Sequence, residues 1–172
     1  MIPLIVLLGA FAIISIGIKY FTKENDSQLA GRIAMSVMLL FTASGHFAYP
    51  EGMALMIPDI IPYKREVVFL TGIIEIAGAV GLLVRRLQVI TAWLLILFFI
   101  MVLPANIHAA IRNVDYQTGP STGPGINYLW FRVPLQLFFI AWTYFFAIRR
   151  NKKSEQPGKR TPAINMRTSV DQ

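Results

Sequence analysis

Five apolar runs, each long enough to cross a membrane, constrain the fold more than any other feature of this sequence. A helix needs about 20 mostly apolar residues to cross a hydrocarbon core of roughly 30 Å. Only helices and closed barrels satisfy their backbone hydrogen bonds in lipid, and runs of this length are typical of helices. The sequence therefore predicts an all-α fold, a polytopic transmembrane helical bundle. The runs cover residues 2–20, 30–47, 66–84, 87–110 and 128–148.

The balance of charged and apolar residues also indicates a membrane protein. Hydrophobic residues make up 55% of the 172 and charged residues only 15%, whereas soluble domains carry about a quarter charged residues. The net charge of +7 is concentrated at the C-terminus, because seven of the 16 Lys and Arg residues follow Ile148. This pattern is typical of a cytoplasmic segment that faces anionic lipid, and it argues against nucleic acid as a partner. We therefore expect membrane lipids as partners and a basic, disordered cytoplasmic tail over residues 149–172.

The basic residues between the runs predict the orientation of the bundle. If the tail lies inside, five further basic residues lie inside and only three lie outside, as the positive-inside rule requires. The five are Lys19, Lys23, Arg32, Arg85 and Arg86, and the three are Lys64, Arg65 and Arg112. We expect the N-terminus outside and the C-terminus inside a bacterial cytoplasmic (inner) membrane.

The sequence contains no cysteine, so it supplies no disulfide, thiolate metal site or iron–sulfur cluster. A redox role would need a bound cofactor or a partner chain. The two histidines, His46 and His108, both lie at the rim of the bundle and lack a ligand-spaced motif. We therefore expect neither haem nor a metal ion.

Glu75 is the most informative single residue, because it lies at the centre of an otherwise uncharged stretch, 67–84. An ionisable group at bilayer depth costs several kcal/mol on most scales, so it is rarely kept there without a partner or a function. Residues three and four positions away are small or polar: Thr71, Gly72, Gly78 and Ala79. These residues share one helix face, which predicts that Glu75 faces the bundle interior.

Other polar residues fall in the same outer half of the bundle, and together with Glu75 they form the candidate ligand-binding site. They are His46, Asn106, Arg132 and Gln136. A rise of about 1.5 Å per residue puts Glu75 roughly 14 Å and Gln136 roughly 12 Å deep, so these two lie nearly level. Arg132 is only about 6 Å deep. We expect its side chain to extend outward, toward lipid phosphates or the acidic residues of the outer loops, Glu51, Asp59 and Glu66.

Two loops of different character join the predicted helices on the outer side. Residues 49–65 are too apolar for water, and Pro50, Pro58 and Pro62 prevent a span. This segment is either an interfacial or re-entrant segment over the outer end of the bundle, or a simple interfacial anchor. Residues 113–125 are rich in Gly and Pro and predict an exposed loop.

Several short motifs resemble the DoxX family in their order and spacing. They are Gly45-His46-Phe47, Met56-Ile57-Pro58, Ile61-Pro62, Thr71-Gly72 with Glu75, Gly81-Leu82-Leu83, Pro104-Ala105-Asn106 and Arg132-Val133-Pro134-Leu135-Gln136. The resemblance implies a four-helix membrane domain over residues 30–148, with an extra transmembrane helix over residues 1–24. It also implies a small bacterial membrane protein linked to quinone-dependent complexes, with its recurrent polar positions at the five site residues named above.

Three functions remain open from the sequence. The first is a non-soluble subunit, not a stand-alone enzyme, that binds a quinone or another lipid in an outer-leaflet pocket and supports a partner oxidoreductase. The second is a non-catalytic membrane scaffold or assembly factor. The third is a small permease or proton pathway, which the single deep acid and the lack of paired discontinuous helices disfavour.

Overall fold

A computed structural model of the chain describes residues 2–23, 26–114 and 125–149, and all regular structure in these ranges is helical. The helices are α1 (Ile2–Thr22), α2 (Ser27–Ala48), α3 (Pro50–Ala54), α4 (Lys64–Leu83), α5 (Gln88–Ile111) and α6 (Leu129–Thr143). A 3-10 turn (Ile126–Tyr128) precedes α6, and a π-helical turn (Tyr144–Ile148) continues it. Most of the predicted tail, 150–172, and most of the predicted exposed loop, 115–124, lie outside the described residues.

Within the described residues, four helices are long and apolar enough to cross a membrane: α1, α4, α5 and the continuous helix Leu129–Ile148. The expected all-α membrane bundle is therefore confirmed. The fifth predicted run lies in α2, which has 22 residues and hence the necessary length. However, α2 is less apolar than the other four, because it carries polar side chains such as Arg32, Ser36 and His46.

The first helix packs against the rest of the bundle through aromatic and aliphatic contacts. Leu7 of α1 is completely buried. Phe11 lies edge-on against Trp142 of α6, with ring centroids 5.0 Å apart, and the Trp142 indole donates a hydrogen bond to the Gly31 carbonyl of α2 at 3.0 Å. These contacts join α1, α2 and α6 in one core, so α1 belongs to the packed structure.

Helices α2 and α4 approach closely because small residues line their contact. The Ser36 hydroxyl donates to the Ala79 carbonyl at 2.8 Å. A side-chain carbon added at Gly72 would lie 3.0 Å from the Cβ of His46, tighter than ordinary van der Waals contact. Since small residues permit such approach in lipid, this contact brings His46 of α2 beside the polar face of α4.

The segment between α2 and α4 folds over one end of the bundle. Asp59 pairs with Lys64 at 2.6 Å and with Arg112, just after α5, at 3.1 Å. The hydrogen bond from Lys64 and the positive charges of Lys64 and Arg112 hold the pKa of Asp59 below its usual range. Ile57 is 7% exposed and so anchors the segment in the protein. The apolar loop thus packs against the end of the bundle where α2 finishes and α4 begins.

Candidate functional site

Glu75 lies on the wall of a cleft at that end of the bundle, and one of its carboxyl oxygens has no hydrogen-bond partner among the described residues. The residue is 7% exposed. Its Oε2 atom is buried and accepts no hydrogen bond within the part of the chain that the structure describes. A buried polar atom left unsatisfied costs about 1–3 kcal/mol. Glu75 therefore faces the interior, as its helix face predicts, but the described protein groups donate no hydrogen bond to its Oε2 atom.

The nearest charged or titratable neighbour of Glu75 is His46 of α2. The Nε2 atom of His46 lies 3.4 Å from the Glu75 Oε2, within ion-pair range, although this contact does not make a hydrogen bond. On the other side of the ring, Nδ1 lies 3.2 Å from the Thr71 hydroxyl oxygen. That hydroxyl is also 2.7 Å from the Val68 carbonyl oxygen. Thr71, His46 and Glu75 thus form a continuous polar series across the α2–α4 contact.

The remaining polar residues of the site form a directional chain of hydrogen bonds between α5 and α6. Arg132 Nε donates to Asn106 Oδ1 at 3.2 Å, and Asn106 Nδ2 donates to Gln136 Oε1 at 3.1 Å. Gln136 Nε2 then donates to the Phe99 carbonyl. In this series of hydrogen bonds, each side-chain amide accepts through its oxygen and donates through its nitrogen. This pattern fixes the orientation of both amides. Asn106 and Gln136 are therefore interhelical links as well as cleft residues.

Side chains also bond to the backbone of α5 close to Pro104. Its ring nitrogen has no N–H, so the helix cannot form the usual hydrogen bond to the Ile100 carbonyl. The amides bond to carbonyls one residue before and two residues after that position: Gln136 to Phe99, and Asn106 to Val102 at 3.3 Å. These bonds bring polar side chains to the part of α5 that contains Pro104.

One cleft brings together four of the five predicted site residues: Glu75, Asn106, Arg132 and Gln136. Its other walls are apolar, apart from the hydroxyl of Thr42, and they come from α1, α2, α5 and α6. They are Pro3, Met38, Thr42, Phe98, Phe99, Val102, Leu135 and Phe139. The cavity volume is about 70 Å³, which is room for roughly five water-sized groups. A lipidic ligand could therefore place only its polar head in the cleft, while its tail lay along the helices.

The fifth predicted residue, His46, is not on the cleft wall and acts on it only through Glu75. Thr71 was not among the predicted site residues, although it lies four positions before Glu75 on the same helix face. That spacing is the signal that identifies it. The Phe99 carbonyl was also missed, because a backbone acceptor inside a helix has no signal in the sequence.

Arg132 differs from its predicted position. The sequence suggested an outward side chain near the acidic residues of the loops, but Asp59 pairs with Lys64 and Arg112, and Glu51 lies 3.3 Å from Arg65. Arg132 instead donates to Asn106 and lines the cleft. The reason is that Asn106 of α5 offers an acceptor inside the bundle.

Comparison with known proteins corrects the predicted family. A family model described as Domain of unknown function (DUF8561) matches residues 35–147, about two thirds of the chain. The match is to this family and not to DoxX, so the resemblance to DoxX drawn from short motifs is wrong. The matched range begins within α2 and leaves α1 outside. No curated protein and no solved structure matches the chain.

Proposed function

We propose a function from the cleft itself, because the chain belongs to the DUF8561 family, whose function is unknown. In this proposal the protein is a multi-pass membrane protein that binds the polar head of a quinone, or of another lipid, between α4, α5 and α6. It acts as a binding subunit for a partner oxidoreductase and not as a stand-alone enzyme. A bound quinone would exchange electrons with that partner, since this chain contributes no thiol chemistry.

The observation that carries the proposal is that Glu75 lines the cleft while its buried Oε2 has no hydrogen-bond partner among the described residues. An amide or a hydroxyl would link two helices in lipid at lower cost than a carboxyl. The neighbouring amides Asn106 and Gln136 already provide such links. A ligand head in the cleft would give the carboxyl the partner that the described residues do not supply.

The rest of the cleft suits a flat polar head attached to an apolar tail. The guanidinium of Arg132 uses its Nε for Asn106, and its two terminal nitrogens are further donors for a carbonyl or phosphate oxygen. The rings of Phe99 and Phe139, 6.0 Å apart, form an apolar wall beside these donors. Polar groups at one end and aromatic walls at the other are the usual composition of a small-molecule site.

We propose that the cleft opens toward the outer leaflet, with the C-terminus in the cytoplasm and the bacterial inner membrane as the location. At the opposite end of the bundle, Arg32 donates to Gln88, and Gln28 donates to the Arg149 carbonyl. These bonds bring Arg32 and Arg149 to the same end of the bundle, and the positive-inside rule favours that end as the cytoplasmic side.

The second candidate is a scaffold or assembly factor. It is favoured by the hydrogen bonds from Arg132 to Asn106 and from Asn106 to Gln136. These bonds join α5 to α6, and that structural role is sufficient to explain them. Under this alternative the cleft holds no specific ligand, and the carboxyl of Glu75 can be replaced without consequence.

The test is mass spectrometry of the small molecules that remain bound after gentle detergent purification from native membranes. Wild type is compared with Glu75→Leu, and with Glu66→Leu as the matched control, because Glu66 is an exposed acid on the same helix. We expect a stoichiometric quinone or a single lipid species in wild type and in the control, and its loss from Glu75→Leu. Equal amounts of the same mixed phospholipids in all three proteins would refute the proposal and favour the scaffold.

A further inference from the structure

The two ends of the bundle differ in how their charged side chains are paired. At the cleft end, Asp59 pairs with Lys64 and Arg112, and Glu51 pairs with Arg65. At the opposite end, no arginine forms an ion pair with a carboxylate of the described residues. These arginines are Arg32 near the start of α2, Arg85 and Arg86 in the turn between α4 and α5, and Arg149 after the π-helical turn.

Arg32 is the residue of this end that is best placed to bind an anion. It is half-buried, and its Nε atom donates to the Gln28 carbonyl at 3.3 Å. Its Nη1 atom donates to the side-chain oxygen of Gln88, whose Nε2 in turn donates to the Ala147 carbonyl at 2.7 Å. These bonds hold the guanidinium in place, but its Nη2 atom donates to none of the described residues. Since an arginine carries five N–H donors in a rigid fork, Arg32 keeps donors for an oxygen ligand.

The charges near Arg32 favour an anion from outside the chain. Asp26 and Arg85 both act electrostatically on Arg32. The Asp26 carboxylate caps α2 by accepting from the Leu29 N–H at 2.9 Å, and it does not lie within ion-pair distance of Arg32. Arg85 has the same sign as Arg32, so the two cations repel each other. A phosphate between them would remove this repulsion and accept charge-assisted hydrogen bonds from both.

The depth of Arg32 and its apolar surroundings favour a lipid over a soluble phosphate. Arg32 lies five residues after Ser27, so its backbone is about 7.5 Å along the axis from the start of α2. Its side chain leans back toward that start, as the bond to Gln28 shows, and the guanidinium thus approaches the level of lipid headgroups. Exposed apolar residues in and beside the α4–α5 turn can contact an acyl chain: Val84, Leu87, Val89 and Ile90.

We infer that the end of the bundle opposite the cleft binds one anionic phospholipid, whose phosphate lies between the guanidinium groups of Arg32 and Arg85. Arg86 and Arg149 add positive charge around this site. The ligand carries a net negative charge, as phosphatidylglycerol does, because the ammonium group of a zwitterionic headgroup would be repelled by the same arginines. The site shares no residue with the wall of the cleft, so it is independent of the proposed function.

The test is native mass spectrometry of the full-length protein, delipidated in a neutral detergent and titrated with dioleoyl phosphatidylglycerol or dioleoyl phosphatidylcholine. We expect one phosphatidylglycerol to bind at least about 10-fold more tightly than phosphatidylcholine, since each basic residue near a membrane surface contributes about 5-fold. Arg85→Glu reverses one charge and gives Arg32 a carboxylate from the chain itself. It should weaken binding of phosphatidylglycerol roughly 25-fold.

Lys19→Glu is the matched control, with the same change of charge at the same end of the bundle. Lys19 is exposed in the last turn of α1, and its charge is not among those that act on Arg32. This variant should change the affinity for phosphatidylglycerol by less than about 2-fold. Arg32→Gln should weaken binding about 5-fold. Because Arg32→Gln also removes a link between α2 and α5, the exposed Arg85 provides the test in an intact bundle.

Three results would overturn the lipid site. Equal affinity for the two lipids would show that the charge of the headgroup is not recognised. Equal weakening by Arg85→Glu and Lys19→Glu would show a general attraction of the basic end and not a site. Displacement of phosphatidylglycerol by inorganic phosphate at equal concentration would assign the arginines to a soluble anion.

Discussion

The hydrogen bond between Asn106 and Gln136 should contribute measurably to the stability of the bundle. It joins α5 to α6 at 3.1 Å, between two residues that are 5% and 8% exposed. Gln136→Met keeps the length of the side chain but removes this bond and the bond to the Phe99 carbonyl. Interhelical hydrogen bonds in membrane proteins contribute about 0.6 kcal/mol on average and up to about 1.7. Loss of two should therefore lower the free energy of unfolding by about 1–3 kcal/mol.

A double-mutant cycle isolates the single bond between the two side chains. The cycle compares Gln136→Met, Asn106→Leu and the double variant, with reversible unfolding in mixed micelles followed by tryptophan fluorescence. The expected coupling energy is about 0.6–1.7 kcal/mol. Leu137→Met is the control, because Leu137 is 60% exposed on the outer face of the same helix, and it should change stability by less than about 0.5 kcal/mol.

A coupling energy within about 0.3 kcal/mol of zero would refute this reasoning, because independent sites are additive to about that level. In that case the two amides would not share a hydrogen bond in the membrane-embedded protein. The directional chain from Arg132 to the Phe99 carbonyl would then lose its central link.

Two further predictions concern packing and the loop at the cleft end. Gly81→Ala should destabilise the bundle by about 1–3 kcal/mol in the same unfolding assay, because the new methyl would overlap the Thr91 side chain. Gly9→Ala is the control, because the new methyl would lie within 4 Å of no described residue. It should be neutral or stabilising, and an equal loss of stability in both variants would contradict the packing argument. The pKa of Asp59 is lowered, first by its hydrogen bond from Lys64. The ion pairs are therefore complete above the ordinary aspartate range and are lost as the pH falls through the lowered value. The distance between spin labels on this loop and the end of α5 should increase only below that range, and Asp59→Asn should show the longer distance at every pH; an increase near neutral pH would contradict the assignment.

The family assignment shows the limit of short motifs in membrane sequences. Glycines, prolines and single polar residues recur in many transmembrane helices, because close packing and kinks use the same residues in unrelated bundles. The order of motifs such as Gly45-His46-Phe47 and Pro104-Ala105-Asn106 therefore resembled DoxX, although the chain matches another family.

The sequence by itself determined the helices and identified the residues that matter. A helix in lipid satisfies its own backbone, so its existence depends on a local run of apolar residues, and the isolated Glu75 stands out in such a run. The rotation and pairing of the helices are not local, and only the tertiary structure decided them. It placed the Thr71 hydroxyl against His46, turned Arg132 toward Asn106 and made α1 part of the core through Phe11 and Trp142. These contacts depend on which small residues of different helices meet, and no single helix encodes that.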